Sequence, residues 1–369
     1  MIYLFYEFGI SRDGYGGGQE ILLQISKIHL EKSIDFKIFI PTRTNQVNVE
    51  KSLEEKIVYV RDSSNPLLVG IRLAMEFIRN LSLKEKPNKV IVFTSEAFLI
   101  ALLCKILKIR CISYIAAPKI PLFRFSLDNL KNIKNNIQLF LFLLGAKFCS
   151  INYAISKEIK SQCLNSIFGF KDDEIVIAYP GIDKIYKRRS FSACSKRGNL
   201  LYLGRICTQQ KSTDLILKAL KIVKKKWNEF FIIGSGNLNE EKKIKQLILN
   251  RSLKSKVKVI ATSDKNQIRK LASKSSVAIM TSNYESFQIA AYEMINQVDN
   301  IILSDVADHK ILMPKSNTVN YARSNRYHLS RIVERNLTSV STLSYKYKKN
   351  RLNALNKKIA WEKLVDSLS

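Results

Sequence analysis

Two carboxylates, Glu285 and Glu293, stand eight positions apart in E-S-F-Q-I-A-A-Y-E, behind an apolar run, Val277-Ala278-Ile279-Met280, and a polar turn, Thr281-Ser282-Asn283-Tyr284. The order reads as buried strand, loop and helix start, with Glu285 in the loop and Glu293 roughly two turns into the helix. At ~1.5 Å rise per residue the two lie on the order of 10 Å apart along the axis. Between them fall Ser286, Phe287 and Gln288, whose unpaired backbone N–H groups would form the positive helix tip. A helix tip is a natural seat for a diphosphate, and a carboxylate on either side accepts hydroxyl hydrogen bonds. Such a layout suits a nucleotide-sugar, with hexose near one glutamate, phosphates at the tip and ribose near the other. A loop glutamate and a solvated helix glutamate is the plainer alternative.

A second cluster lies upstream. The apolar run Leu200–Leu203 ends in Gly204-Arg205, and Lys211 and Asp214 precede an amphipathic segment, Leu215–Val223. Read as strand, loop and helix, this places Arg205 and Lys211 at the carboxyl end of a strand, the edge where open parallel sheets bind ligands. A planar guanidinium and a mobile ammonium suit phosphate oxygens. Phe230–Ile233 then runs into Gly234-Ser235-Gly236, where glycine lets backbone approach a ligand closely, or simply makes a turn.

In this order, G-R-x5-K, I-I-G-x-G and E-x7-E resemble the carboxyl-terminal domain of the GT-B retaining glycosyltransferases of family 4, the glycosyl transferases of group 1. Other pieces resemble the same family: Gly16-Gly17-Gly18-Gln19-Glu20 its glycine loop after the first strand, Tyr153–Lys157 its strand–Ser–helix element, Tyr179-Pro180-Gly181-Ile182-Asp183 its interdomain turn, and Trp361-Glu362 its last helix. The resemblance covers nearly the whole chain.

It implies an α/β fold of the GT-B type: two Rossmann-like domains facing across a cleft, with a carboxyl-terminal helix crossing back to the first. The expected boundaries are 1–183 for acceptor binding, 197–345 for nucleotide-sugar binding and 346–369 for the returning helix. The implied activity is retaining, metal-independent transfer of a hexose from a nucleotide-diphosphate sugar such as a UDP- or GDP-sugar. The acceptor would be a glycan or a lipid-linked saccharide. By resemblance Glu285 holds the donor sugar hydroxyls, Glu293 the ribose, and Arg205 and Lys211 the phosphates. Gly17, Gly18, Gly234, Gly236, Ser286, Phe287 and Gln288 line the donor. No D-x-D pair is present, so no metal is expected and the basic residues carry the phosphate charge. Three departures stand out. Ala116 in Tyr114–Pro118 occupies the place of a donor-touching histidine, Val298-Asp299-Asn300 replaces a Gly-x-Pro turn, and Ser212 replaces glycine after the lysine.

Composition agrees with two α/β domains. The chain has 369 residues, 46% hydrophobic, and apolar runs such as Ile2–Phe5, Phe36–Ile40, Val90–Phe93 and Val257–Ile260 alternate with amphipathic segments. The boundary is expected in the basic stretch 184–196. Six cysteines without C-x-x-C spacing and only three histidines argue against zinc or a disulfide framework. No leader peptide is expected, and the longest mostly apolar stretch, Ile137–Ala146, falls short of the ~20 residues of a spanning helix.

The net charge of +30 draws the chain to polyanions, either anionic membrane or nucleic acid. Leu139–Leu144, behind Arg124, Lys131 and Lys134, is either a bilayer-surface helix or a core helix. The basic tail Tyr345–Lys358 is either a solvated face or a nucleic-acid contact. The expected location is cytoplasmic, peripheral on the inner face of the cell membrane. A nucleic-acid-modifying transferase and an inactive binding subunit of the same fold are the competing readings.

Overall fold

The structure, a computed structural model, describes residues 1–6, 17–42, 51–61, 63, 65–82, 86–93, 98–116, 140–141, 143–166, 168–181, 198–262, 264–313, 319–322, 324–338, 355 and 359–368. The chain divides into two compact units, Met1–Gly181 with Trp361–Ser369, and Ile182–Ala360.

The first unit holds a seven-stranded parallel sheet of order β3-β2-β1-β4-β5-β6-β7. Its strands are β1 (Ile2–Phe5), β2 (Phe36–Thr42), β3 (Ile57–Arg61), β4 (Lys89–Val92), β5 (Arg110–Ile115), β6 (Ile151–Ala154) and β7 (Ile175–Ile177). The helices are α1 (Gly17–Glu31), α2 (Lys51–Glu54), α3 (Pro66–Ser82), α4 (Phe98–Ile106) and α5 (Lys157–Leu164). β1 and β4 are buried at every position, which is why they read as unbroken apolar runs. Tyr3, Phe5, Phe39 and Phe77 form an aromatic core, with Phe5 stacked on Phe39 at 4.5 Å between ring centroids. Ser156 caps α5, accepting from the Ile159 N–H at 3.3 Å.

The second unit holds a six-stranded parallel sheet, β10-β9-β8-β11-β12-β13. These are β8 (Leu200–Leu203), β9 (Phe230–Ile233), β10 (Val257–Ile260), β11 (Val277–Met280), β12 (Asn300–Leu303) and β13 (Val319–Tyr321). Its helices are α6 (Thr208–Lys211), α7 (Thr213–Ile222), α8 (Leu238–Asn250), α9 (Lys265–Ser273), α10 (Ile289–Gln297), α11 (His309–Leu312) and α12 (Arg326–Thr338). Trp227 sits in this core, its indole N–H donating to the Leu220 carbonyl at 3.0 Å. The edge strand β10 exposes Lys258 and Val259 rather than burying both faces.

The last helix, α13 (Trp361–Leu368), completes the first unit. It packs on α1, and its final carbonyls are taken up by that unit: Lys89 Nζ donates to Leu368 O at 3.0 Å and Tyr153 OH to Ser367 O at 2.5 Å. Gly181 lies directly against it, since a Cβ there would come within 2.1 Å of the Trp361 backbone nitrogen.

The candidate bilayer helix has a core role where it is described. Leu143 and Ala146 are buried, and Gly145 lies against the Phe98 backbone, although Phe140 is exposed. Arg124, Lys131 and Lys134 lie outside the described residues, as does the Tyr345–Lys358 tail apart from the buried Leu355. Cys104, Cys111, Cys149, Cys163 and Cys207 are free thiols.

His29, on α1, is fully buried beside Phe36, and neither ring nitrogen has a partner among the described residues. Burial, with the Lys89 and Lys32 ammonium groups, lowers its pKa from 6.5 to about 4. Between those values the unfolded chain binds a proton that the folded chain refuses. This contribution to stability is therefore whole above pH 6.5 and drains away as the pH falls toward 4. The loss should reach about 3 kcal/mol, at ~1.4 kcal/mol for each tenfold difference in proton affinity between folded and unfolded chain. Denaturant unfolding at neutral pH and near pH 4 should show His29→Leu losing correspondingly less than wild type. Identical losses would mean that His29 has no part in the acid sensitivity.

Candidate functional site

In the second sheet the strand order reverses between β8 and β11, making their carboxyl ends the topological switch point where open α/β sheets bind ligands. The loops leaving these two strands are Gly204–Lys211 and Thr281–Gln288. They carry Arg205, Lys211 and Glu285, and they are fastened to each other. The Asn283 N–H donates to Gln210 O at 2.8 Å, and Asn283 Nδ2 to Gln209 O at 2.8 Å.

Lys211 and Glu285 form an ion pair through Nζ and Oε1, with side-chain exposures of 13% and 6%. Ser282 Oγ donates to the same Oε1 at 2.7 Å and receives Gln288 Nε2 at 3.2 Å. Glu285 is therefore pinned through one oxygen, and no donor among the described residues reaches Oε2. The ammonium spends one of its three protons on Oε1 and keeps two. Arg205 is exposed, its guanidinium steadied by Nη2 donating to Gln210 Oε1 at 2.6 Å.

Buried polar atoms ordinarily have partners. At this edge Thr281 Oγ1, Gln288 Oε1 and His309 Nε2 have none among the described residues. Burial holds His309 below the usual imidazole range, while its contact with the Ser304 carbonyl (Nδ1 to O, 3.1 Å) and the Glu285 charge oppose the shift. With Nδ1 donating to that carbonyl, Nε2 is the acceptor nitrogen.

Gly234 and Gly236 each lie against the backbone of the preceding loop. A Cβ on Gly234, at φ +139°, would lie 2.1 Å from the Gly204 carbonyl oxygen, and one on Gly236 would lie 2.6 Å from Ile206 O. Ile206 N–H donates to Ser235 O at 2.8 Å. These glycines let the β8 and β9 loops lie backbone to backbone, which fixes the Arg205 loop. Glu240 fixes its other end by accepting the Thr208 N–H at 2.7 Å.

The helix start also differs. α10 begins at Ile289, so Glu293 lies little more than one turn in rather than two, and Ser286 and Phe287 precede the helix. Phe287 is buried, its ring stacked on Tyr292 at 4.5 Å. Gln288 takes the cap position while its side chain turns to Ser282. The helix tip thus starts at Ile289, and by Ala291 the N–H is already taken, donating to Gln288 O at 2.9 Å. Glu293 is half-buried on α10. Gly17 and Gly18 belong to the first unit, where they open α1 behind β1. That unit's own strand order reverses between β1 and β4. A Cβ on Gly18 would meet the Tyr6 hydroxyl at 2.4 Å.

Gln210, Ser282, Asn283 and His309 were not singled out by the sequence. Ser282 and Asn283 carried a signal, being polar residues directly behind a buried strand; Gln210 and His309 carried none. Of the three departures, Ala116 directly follows β5, and residues 117–139 lie outside those described. The Val298–Asn300 turn is closed by the Ser276 carbonyl, which accepts the Asp299 and Asn300 N–H groups at 3.1 and 2.9 Å. Ser212 adopts the left-handed conformation (φ 52°, ψ 36°), and its buried hydroxyl has no partner among the described residues. That conformation costs a non-glycine residue roughly 1–2 kcal/mol. Ser212→Gly should therefore stabilise the second unit by about 1 kcal/mol after the entropy of a more flexible unfolded chain is deducted. An unchanged or lower melting temperature would contradict this.

The sequence model of the family described as glycosyl transferases group 1 matches residues 183–308, the stretch that holds both loops. Over that stretch, about a third of the chain, the sequence is similar to the group 1 glycosyl transferases. An uncharacterized glycosyltransferase of Methanocaldococcus jannaschii, MJ1607, is 26% identical over 165 residues, a match spanning 41% of each chain. Anabaena Alr3699/HepE, solved in complex with UDP and glucose, superposes with a TM-score of 0.75 at 14% identity, over 100% of this chain and 97% of that one. The sucrose-phosphate synthase of Thermosynechococcus elongatus superposes with a TM-score of 0.79 at 12% identity, over 100% and 96%. The fold is GT-B, built from two parallel-sheet α/β units.

Proposed function

We propose that the protein transfers a hexose from a nucleotide-diphosphate sugar to a glycan or lipid-linked acceptor, with retention of anomeric configuration and without a metal. The observation carrying this reading is the pinned carboxylate at the switch point: Glu285, held through Oε1 by Lys211 and Ser282, with Oε2 left as an acceptor. That oxygen takes donor-sugar hydroxyls, and Glu293, one turn into α10, takes the ribose. The two spare protons of Lys211, the guanidinium of Arg205 and the N–H groups at the tip of α10 neutralise the diphosphate as it leaves.

In the transfer, the bond from the anomeric carbon to the phosphate oxygen breaks and a bond to the acceptor oxygen forms on the same face. The acceptor proton passes to the departing diphosphate. Glu285 is committed to orientation rather than attack, so no covalent intermediate with the protein is invoked. A UDP-sugar is the first donor to test, since UDP is the nucleotide bound by the Anabaena neighbour.

The test is a thermal-shift screen against UDP-, GDP-, ADP- and TDP-sugars, with and without EDTA. A ligand of the folded state raises its melting temperature. A rise with one nucleotide class, indifferent to EDTA, followed by transfer giving the donor's own anomer, is the expected result. A cooperative melt that no nucleotide-sugar shifts would favour an inactive subunit. The charge of +30 supports a second reading in which the acceptor is itself a polyanion such as nucleic acid, revealed by duplex binding with a steep salt dependence.

A further inference from the structure

α3 is apolar on two faces. Its inner face, with Val69, Leu73 and Phe77, is buried in the core of the first unit. Its outer face leaves Leu67 (56%), Leu68 (43%), Ile71 (41%), Met75 (65%) and Ile78 (50%) exposed. Positions 67, 71, 75 and 78 repeat at the helical spacing, and 68 lies beside them. The stripe therefore runs ~17 Å along the helix without interruption. No other helix among the described residues exposes more than two large apolar side chains.

The charges around the stripe have one dominant sign. Arg72 and Arg79 border it, and the one acid on α3, Glu76, is only partly exposed and lies 3.8 Å from Arg79. α4 packs beside α3, and at its end the exposed Ile106 and Leu107 stand between Lys105 and Lys108.

We propose that the outer face of α3 docks on an anionic lipid bilayer, with the stripe entering the headgroup–acyl boundary and the bordering arginines on lipid phosphates. A flat apolar stripe edged by basic side chains is what an interfacial helix requires, and juxtaposed arginine and lysine add attraction to anionic headgroups. A second copy of the chain fits less well. The patch amounts to a few hundred Å², short of the ~800 Å² per partner of a stable interface. It would also bring +30 against +30. This inference does not depend on the donor site, so each can fail without the other.

The test is co-sedimentation with phosphatidylcholine vesicles, with and without phosphatidylglycerol, at low and high salt. The variant combines Leu68→Ser, Ile71→Ser and Met75→Ser, which keeps every charge. Wild type should bind the phosphatidylglycerol vesicles and retain part of that binding when salt screens the charges. The variant should bind at least tenfold more weakly, with its melting temperature unchanged. In a separate variant, Met75→Trp, the new indole fluorescence should shift to the blue on adding these vesicles. Wild-type failure to bind would overturn the proposal. Equal binding by the triple-serine variant would do the same by reducing the attraction to charge alone. A wild-type dimer that the serines dissociate, with vesicle binding unchanged, would assign the face to a second copy instead.

Discussion

Lys211→Met should lower the stability of the second unit by about 3–5 kcal/mol, the cost of leaving one member of a buried ion pair without its partner. Glu285 would keep only the Ser282 hydroxyl on Oε1, in a pocket where it is 6% exposed. Removing both charges should hurt less than removing one, because the expense lies in the stranded carboxylate. Adding Glu285→Gln to Lys211→Met should therefore recover much of the loss, a non-additivity that a double-mutant cycle reads directly. In a unit of this size each kcal/mol moves the melting temperature by roughly 2–4 °C, so calorimetry suffices. If the single variant melts with wild type, the pair is a surface contact in solution and the site lacks the pinned carboxylate. The same instability means that turnover lost in Lys211→Met has to be measured well below the variant's melting temperature before it is assigned to the phosphates.

Glu285→Gln separates the two roles of this residue. The amide keeps the shape and a carbonyl acceptor for Lys211 and Ser282, but it loses the charge that strengthens hydrogen bonds to sugar hydroxyls. Bonds to charged groups contribute about 1.5–3 kcal/mol, so transfer should fall by about 10- to 100-fold while the affinity for free UDP changes little. The effect should fall on kcat/KM for the intact donor. A comparable loss of UDP affinity would instead place Glu285 at the nucleotide end of the site. Full activity would take it out of the chemistry altogether.

Much of the scaffold was legible because its physics is local. β1, β8, β9 and β11 are unbroken apolar runs, since parallel strands covered on both faces need them. Arg205, Lys211 and Glu285 could be located because charged residues directly behind such runs fall at one edge of the sheet. The sequence misled where tertiary contacts outweigh local preference. Ser286-Phe287-Gln288 reads as a first helical turn, but Phe287 is held by Tyr292 and Gln288 by Ser282, which delays the helix to Ile289. Gly234 and Gly236 announce a close approach without saying to what, and their neighbour proves to be backbone of the preceding loop. Gln210 steadies Arg205 and His309 rests on the Ser304 carbonyl, contacts five residues apart that depend on loop geometry, so no helical or strand spacing reveals them. The outer stripe of α3 was hidden for the opposite reason: a helix apolar nearly all round looks like one wholly in the core.

The contact of Gly181 with Trp361 also has a bearing on biosynthesis. Unit boundaries at these two residues make the second unit an insertion within the first, leaving by one and returning at the other. The buried Lys89 ammonium and the Tyr153 hydroxyl wait for carbonyls that α13 supplies. On the ribosome the first unit is thus translated earlier but finished later, after the whole second unit has emerged. Until then it is an unclosed layer, with α1 uncovered where α13 will pack. Chains stalled or truncated before the last turn of α13 should accordingly engage chaperones through the first unit, even though most of that unit is made first.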